Sequence, residues 1–457
     1  MYQSVKLISI IGAGRSASSL ISYLLERTEK YDWQIKVYDQ DFDLAKSKIL
    51  DHAKASAHQI DIKNESARIA LIQESDIVVS MLPASMHVDV AKECIRFKIP
   101  MVTASYVSDE MRELDKDAKE AGVILMNEVG VDPGIDHMSA MKMIDEARDK
   151  GATLKLFESF TGGLLAEQSE KDNPWKYKFT WNPRNVVLAG AGGAVKFKQG
   201  GKYKYIPYTQ LFRRTELFSI DGHGKFEGYA NRDSLKYRTD YGLENIRTIF
   251  RGTLRRPGFS RAWDAFVKLG MTDDSYTLEN SAEMTYRDFV NQFLAYNPND
   301  SVELKLMHNL GIPQDSDIME KLEWTGMFSE AKINIPNATP AQILELILKD
   351  KWTLLEDDKD MIVMYHKLGY ELDGERKMIE SSMVVEGEDK VKTAMSKTVG
   401  IPVAIATKLI LQGIINLKGV HIPIYPDIYN PMLKELEKHG ISSVSYTHLT
   451  LPTIYSV

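Results

Sequence analysis

Two acids, a histidine and a Pro-Gly pair fall within the twelve residues of 129–140, VGVDPGIDHMSA. The carboxylates of Asp132 and Asp136, the imidazole of His137 and the phenol of Tyr106 in the stretch TASYVS could each give or take a proton during catalysis. The same side-chain types could hold a cation. However, Pro133 and Gly134 separate Asp132 from the other two ligand types, and no further acid or histidine nearby in sequence completes a ligand set, so no metal is expected. His137 opens a helix-like segment, where a histidine more often makes structural hydrogen bonds, and Asp136 is read the same way.

A second constellation opens the chain. In IGAGRSASSL, Gly12 permits a tight turn, Gly14 lets the backbone approach a pyrophosphate and Ala17 allows close helix-strand packing, with Arg15 and Ser16 in the turn itself. The next strand candidate ends at Asp39, where a carboxylate can accept hydrogen bonds from ribose hydroxyls and repel a 2′-phosphate, so NAD is expected over NADP. Asp41 and Asp43 read as a solvated cap for the following helix. Gly190, Gly192 and Gly193 form another rich loop, but VKFKQGGKYKY after it alternates with a strand period, so it reads as a turn between strands.

These motifs need a scaffold. Strand candidates VKLISIIG, QIKVYD, QIDIKN, DIVVSML, PMVTAS and VILMNEV alternate with helical segments, and parallel neighbours require crossovers. The fold class is therefore α/β, a Rossmann doubly wound parallel sheet over 1–135 followed by a mixed α/β substrate domain carrying a small helical insertion. Ligands of such sheets sit beyond the carboxyl ends of the strands, which places 81–85, 103–108 and 127–137 at the crevice. Cofactor contacts are accordingly assigned to Gly12, Gly14, Arg15, Ser16, Ala17, Asp39, Leu82, Pro83 and Val131.

From about residue 151 the pattern becomes mostly antiparallel strands, with NVVLAGAGG among them. The substrate domain is read as 136–260 and 353–443, its last helices able to fold back on the Rossmann domain, with 261–352 as the helical insertion. There, Thr339 and Gln342 around Pro340 form a capping box. Residues 444–457 continue no earlier pattern and read as a non-native tail.

Composition narrows the rest. A net charge of −7 argues against a general nucleic-acid binder, and the single cysteine, Cys94, excludes internal disulfides and multi-cysteine metal sites, leaving a buried structural thiol. The apolar runs read as shorter than the roughly 18 residues that span a bilayer. With no basic leader at the N-terminus, a cytoplasmic protein without membrane or nucleic-acid partners is expected. Arg213, Arg214, Arg232, Arg247, Arg251, Arg255, Arg256 and Arg261 crowd the second domain, and arginine grips carboxylates bidentately, which suggests a polycarboxylate substrate.

Several of these stretches together resemble the saccharopine dehydrogenase family, in particular its glutamate-forming reductases: IGAGRSASSL, VVSMLPASMH, VTASYVS, LDKDAKEAGVILMNEVGVDPGIDHMSA, FTGGL, EGYANRDSLKYR, RGTLRRPGF and MSKTVGIPVAIATKLIL. The resemblance implies oxidation of saccharopine to an imine that water splits into glutamate and 2-aminoadipate 6-semialdehyde, by an oxidoreductase acting on CH-NH groups with NAD or NADP. It implies a homodimer, with Asp132 and Tyr106 as catalytic residues and Ser105, Tyr106, Asp132, Arg232, Arg251, Gly252 and Thr253 at substrate. Two departures stand out. The family's fungal reductases carry a cysteine where this chain has Thr161, and the NADP-using members lack an acid at the position of Asp39. The expected mechanism has hydride leaving the glutamate α-carbon for NAD. The rival reading is an NADP-dependent reductase or a carboxynorspermidine or homospermidine synthase-like enzyme; a dinucleotide sensor without catalysis is a third.

Overall fold

The computed structural model describes residues 5–189, 191, 193–231 and 233–449; Gly190, Gly192, Arg232 and 450–457, on which some of the expectations above fall, lie outside the described residues. The chain divides into two compact units. The first ends its leading segment at Gly151 and takes up the chain again over Met383–Val444, and the second holds Ala152–Ser382 with the described residues after 444.

The first unit is built on a parallel sheet. Strands β1 (Lys6–Ile11), β2 (Trp33–Asp39), β3 (Ala55–Gln59), β4 (Ile77–Ser80), β5 (Met101–Val102) and β6 (Ile124–Met126) are joined by a seventh, Gly419–His421. Their order is Gly419–His421, β6, β5, β4, β1, β2, β3, so the winding reverses between β1 and β4. Ile8, Ile10, Val37 and Val79 are fully or almost fully buried, as helices on both faces of a parallel sheet require. The expected strand QIDIKN is displaced: β3 is ASAHQ, an edge strand without β-branched residues, and Ile62 is instead buried just ahead of the helix Glu65–Gln73. The seventh strand was not expected because three residues, GVH, carry no period.

What brings 383–444 to this unit is the helix Ala394–Leu411. It is 18 residues long and apolar enough to cross a membrane, contrary to the expectation that no such run exists, yet most of it is buried. Its small residues let it approach the helix Ala17–Leu25: a Cβ on Gly400 would lie 2.7 Å from the Leu20 nitrogen, and Ser396 Oγ accepts from Ser19 N at 3.0 Å. Pro402 inside it and the salt bridge from Lys408 to Glu435 (2.6 Å) complete its setting.

The second unit carries a mixed sheet of β7 (Thr153–Leu165), β8 (Val195–Gln199), β9 (Lys202–Ile206), β10 (Thr215–Ile220), β11 (Gly224–Ala230), β12 (Thr248–Arg255), β13 (Asp360–Leu372) and β14 (Glu375–Glu386). Its order runs β10, β11, β12, β7, β13, β14, with the strand Val444–Leu449 beyond β14, and β8 pairs with β12 and β9. β7 and β12 run parallel, while β10–β11, β11–β12, β8–β12, β8–β9 and β7–β13 pair antiparallel. Two hairpins use two-residue turns at positive φ, Gly200-Gly201 and Asp373-Gly374, matching the twist of their strands. NVVLAGAGG begins as the helix Pro183–Val187 and not as a strand, because Asn182 caps it and Pro183 occupies its first position.

The helical stretch expected as an insertion shares its core with the sheet. Trp352 stacks with or meets edge-on Trp175, Tyr177, Phe179, Phe259 and Trp263, so residues before 180 and after 340 close one aromatic cluster. The capping box of Thr339 and Gln342 is present. Substituting Gly400→Val should force the two helices of the first unit apart and lower unfolding free energy by about 1–3 kcal/mol, read as a lower denaturant midpoint; an unchanged midpoint would show that the close approach carries no stability.

Candidate active site

The glycine-rich turn is shaped by contact on one side and open on the other. Gly12 has φ 101°, and a Cβ there would stand 2.7 Å from the Met81 carbonyl oxygen, so glycine lets the ends of β1 and β4 meet. A Cβ on Gly14 would meet no atom within 4 Å. Ser16 makes no side-chain cap to the helix Ala17–Leu25, and no acid stands in its first turn, which leaves the positive end of the helix available to an anion. Asp39 Oδ2 accepts from Ala13 N at 2.7 Å and Oδ1 from Asp41 N at 3.0 Å, holding the carboxylate beside the turn. Asp41 caps the next helix through Leu44 N, as its position suggested. Leu82 is half-buried, Pro83 exposed and Val131 buried. An open cradle at Gly14, an uncapped helix end and an acid at the end of β2 fit a dinucleotide.

At the carboxyl ends of β5 and β6 the chain brings Tyr106 and Asp132 together: the phenol donates to Asp132 Oδ1 at 3.2 Å, and both residues are partly exposed. The loop bearing Asp132 is wound tightly. Gly130 N donates to the Pro133 carbonyl, Ile135 N to the Gly130 carbonyl, and the Asp132-Pro133 peptide is cis. Gly134, at φ 146°, is irreplaceable there, since a Cβ would fall 2.1 Å from the Gly130 carbonyl oxygen.

Asp136 and His137 serve this loop. Asp136 Oδ1 accepts from Gly134 N at 2.6 Å, and His137 Nε2 stands 2.8 Å from Glu128 Oε2, both residues fully buried. Glu128 in turn accepts from Val107 N at 2.8 Å, so one carboxylate ties the Tyr106 strand exit to the start of helix Ile135–Asp149. Sequence reasoning passed over Glu128, although an acid in a mostly apolar stretch such as LMNEVGV can mark a buried, partnered carboxylate. It also passed over His87, whose ring lies 2.8 Å from Ser80 Oγ and 2.7 Å from Ser105 Oγ. Burial holds the His87 imidazole down to about 4.

The second unit presents its own polar row. In register across the sheet, Arg251, Ser159 and His366 share one face, as do Thr253, Thr161 and Met364 one step along. The Arg251 guanidinium lies 4.8 Å from the Tyr237 ring centre, and Thr161 Oγ1 is buried with no hydrogen-bond partner among the described residues. Gly252 turns to the opposite face, where the Phe160 ring would meet any Cβ at 2.5 Å; its glycine serves packing. Most of the other arginines are structural. Arg213 pairs with Asp264, Arg256 with Glu170, Arg261 with Asp317, and buried Arg255 lies over Tyr177 and Phe259. Arg214 and Arg247 are exposed.

Residues 8–126 match the saccharopine dehydrogenase NADP binding domain, and 130–441 match the saccharopine dehydrogenase C-terminal domain. The chain belongs to the saccharopine dehydrogenase family. This family member is 35% identical to the saccharopine dehydrogenase [NADP(+), L-glutamate-forming] of Saccharomyces cerevisiae, over 85% of this chain and 88% of that one. It is 36% identical to the mitochondrial alpha-aminoadipic semialdehyde synthase of Rattus norvegicus over 83% of this chain, but spans only 41% of that longer protein. The apo structure of the Saccharomyces cerevisiae L-Glu-forming saccharopine dehydrogenase superposes with a TM-score of 0.88 at 32% identity, covering 97% of this chain and 100% of the other. Because Gly14 faces open space, Gly14→Val should weaken NADH binding by at least roughly tenfold, about 1.4 kcal/mol, with an unchanged melting temperature; retained NADH fluorescence titration would remove the turn from the site.

Proposed function

We propose that this family member oxidises saccharopine with a nicotinamide dinucleotide, releasing glutamate and 2-aminoadipate 6-semialdehyde, and that NAD is its preferred dinucleotide. The reading is carried by the Tyr106–Asp132 couple at the strand ends of a sheet whose glycine turn stands open. The names of the relatives supply the substrate and the reaction class.

Atom balance corrects the expected hydride donor. Hydride loss from the glutamate α-carbon would place the imine on the glutarate side, and water would then release lysine and an oxo acid. Glutamate and a semialdehyde require hydride loss from the ε-carbon of the lysine skeleton. When bound, the nicotinamide supplies the hydride acceptor. The secondary amine must be neutral for its lone pair to form the imine, so a group beside it must take its proton. We assign that role to Asp132, whose Oδ1 receives the Tyr106 phenol, taking the proton directly or along the Tyr106 hydroxyl. The tight Gly130–Gly134 packing and the Glu128 tie keep the two side chains in reach of each other. Arg251 and Thr253, with Arg232, are proposed to hold substrate carboxylates.

The preference for NAD rests on Asp39, around which no basic residue stands from Tyr38 to Ala45. A 2′-phosphate at the Asp39 carboxylate would meet like charge. The relatives are named for NADP(+), which favours the second reading, an NADP-dependent enzyme.

Initial rates with saccharopine decide both points. NAD should give the higher kcat/KM, and Asp39→Ala should raise NADP use by roughly tenfold, the scale of one hydrogen bond to a charged group; a higher specificity constant with NADP overturns the cofactor assignment, and no turnover with either overturns the substrate. Asp132→Ala should lower kcat on the order of 100-fold, the lower range for a lost acid-base group, with NADH binding retained. Wild-type kcat in that variant would remove Asp132 from the chemistry.

A further inference from the structure

We propose that His87 is a positioning residue for the reaction: held between Ser80 and Ser105, it turns the Ser105 hydroxyl hydrogen outward as a donor to a ligand oxygen. The inference rests on the function proposed above and adds a specific role to one edge of that site.

The argument is one of hydrogen accounting. His87 is 3% exposed at the start of the helix His87–Phe97, with Nδ1 2.8 Å from Ser80 Oγ and Nε2 2.7 Å from Ser105 Oγ. A neutral imidazole has one N–H and one acceptor nitrogen, so it relays direction between two hydroxyls. Burial keeps the ring neutral at physiological pH. Ser80 Oγ is fully buried and His87 Nδ1 is its only side-chain partner among the described residues, so its hydrogen has one place to go, onto Nδ1. The opposite tautomer would leave that hydrogen buried without an acceptor, at a cost that folded proteins avoid. With Nδ1 accepting, the ring proton sits on Nε2 and is donated to Ser105 Oγ. The Ser105 hydrogen is then released from inward use and directed to the partly exposed side of the residue.

The backbone of Ser105 is fixed as well. Its N–H donates to Thr103 Oγ1 at 3.2 Å and its carbonyl accepts from Glu128 N at 3.1 Å. A serine anchored at its amide, carbonyl and hydroxyl oxygen presents a single donor at a fixed place, next in sequence to Tyr106. Its partner is an oxygen acceptor on the bound ligands, either a substrate carboxylate or the nicotinamide carboxamide.

Two measurements test this. In 15N-histidine spectra of the full chain, with His87→Gln identifying the signal by its loss, His87 should show the Nε2–H tautomer and stay neutral down to about pH 5; an Nδ1–H signal overturns the proposal whatever the enzyme turns over. In a double-mutant cycle, Ser105→Ala and His87→Leu should each cost roughly tenfold in kcat/KM for saccharopine, yet together cost no more than Ser105→Ala alone, while His87→Gln, which retains an N–H at similar reach, recovers part of the loss. A raised KM for saccharopine assigns the acceptor to the substrate, and a raised NADH dissociation constant assigns it to the carboxamide. Full additivity, or no loss in Ser105→Ala, overturns the role of His87 while leaving saccharopine turnover intact. Absence of wild-type turnover, by contrast, strikes the function and leaves the tautomer result to stand alone.

Discussion

The junction between the two loops at the ends of β5 and β6 depends on one buried carboxylate. Glu128 sits at the end of β6 with φ 58° and holds two partners at once, Val107 N–H and the His137 ring. The first fixes the loop that carries Tyr106, the second fixes the start of the helix that follows Asp132. A buried acid deprived of a partner is costly, commonly about 3–5 kcal/mol, so this junction admits little play. The hydrogen-bonded pair Tyr106 and Asp132 is thereby held by a residue that contacts the two loops and not through the pair's own side chains.

The same economy governs the glycine turn. Gly12 meets Met81 at backbone distance, and the Asp39 carboxylate binds the amide of Ala13, so the ends of β1, β2 and β4 are pinned around a turn that stands open at Gly14. A turn held by such contacts suits a preorganised binding site, because little ordering remains to be done when ligand arrives.

Much of this was legible in the sequence, for identifiable reasons. Gly12, Gly14 and Asp39 announce themselves because backbone approach and phosphate recognition permit few residue types, and Thr339 and Gln342 because a capping box is a local device. The Rossmann alternation was readable because the central strands β1 and β4 carry runs of buried apolar residues. What escaped were features set by distant partners. The strand GVH exists only because β6 offers it an edge, β3 lacks any period of its own, and Glu128 and His87 look like ordinary polar residues until their buried partners are known. The arginine cluster was less specific: a guanidinium can serve an aromatic core or an intramolecular carboxylate as readily as a substrate, and Arg255, Arg256 and Arg261 do so.

The pairing of Ser19 with Ser396 has a consequence for synthesis. The two residues lie 377 positions apart, and the helix that flanks the glycine turn finds its cover only when the helix Ala394–Leu411 has been made. During translation residues up to Gly151 emerge with that face bare, while Ala152–Ser382 of the second unit is still to come. The helix beside the glycine turn is thus covered by a segment that follows residues 152–382 in the chain, so synthesis must pass through those residues before the first unit can be completed.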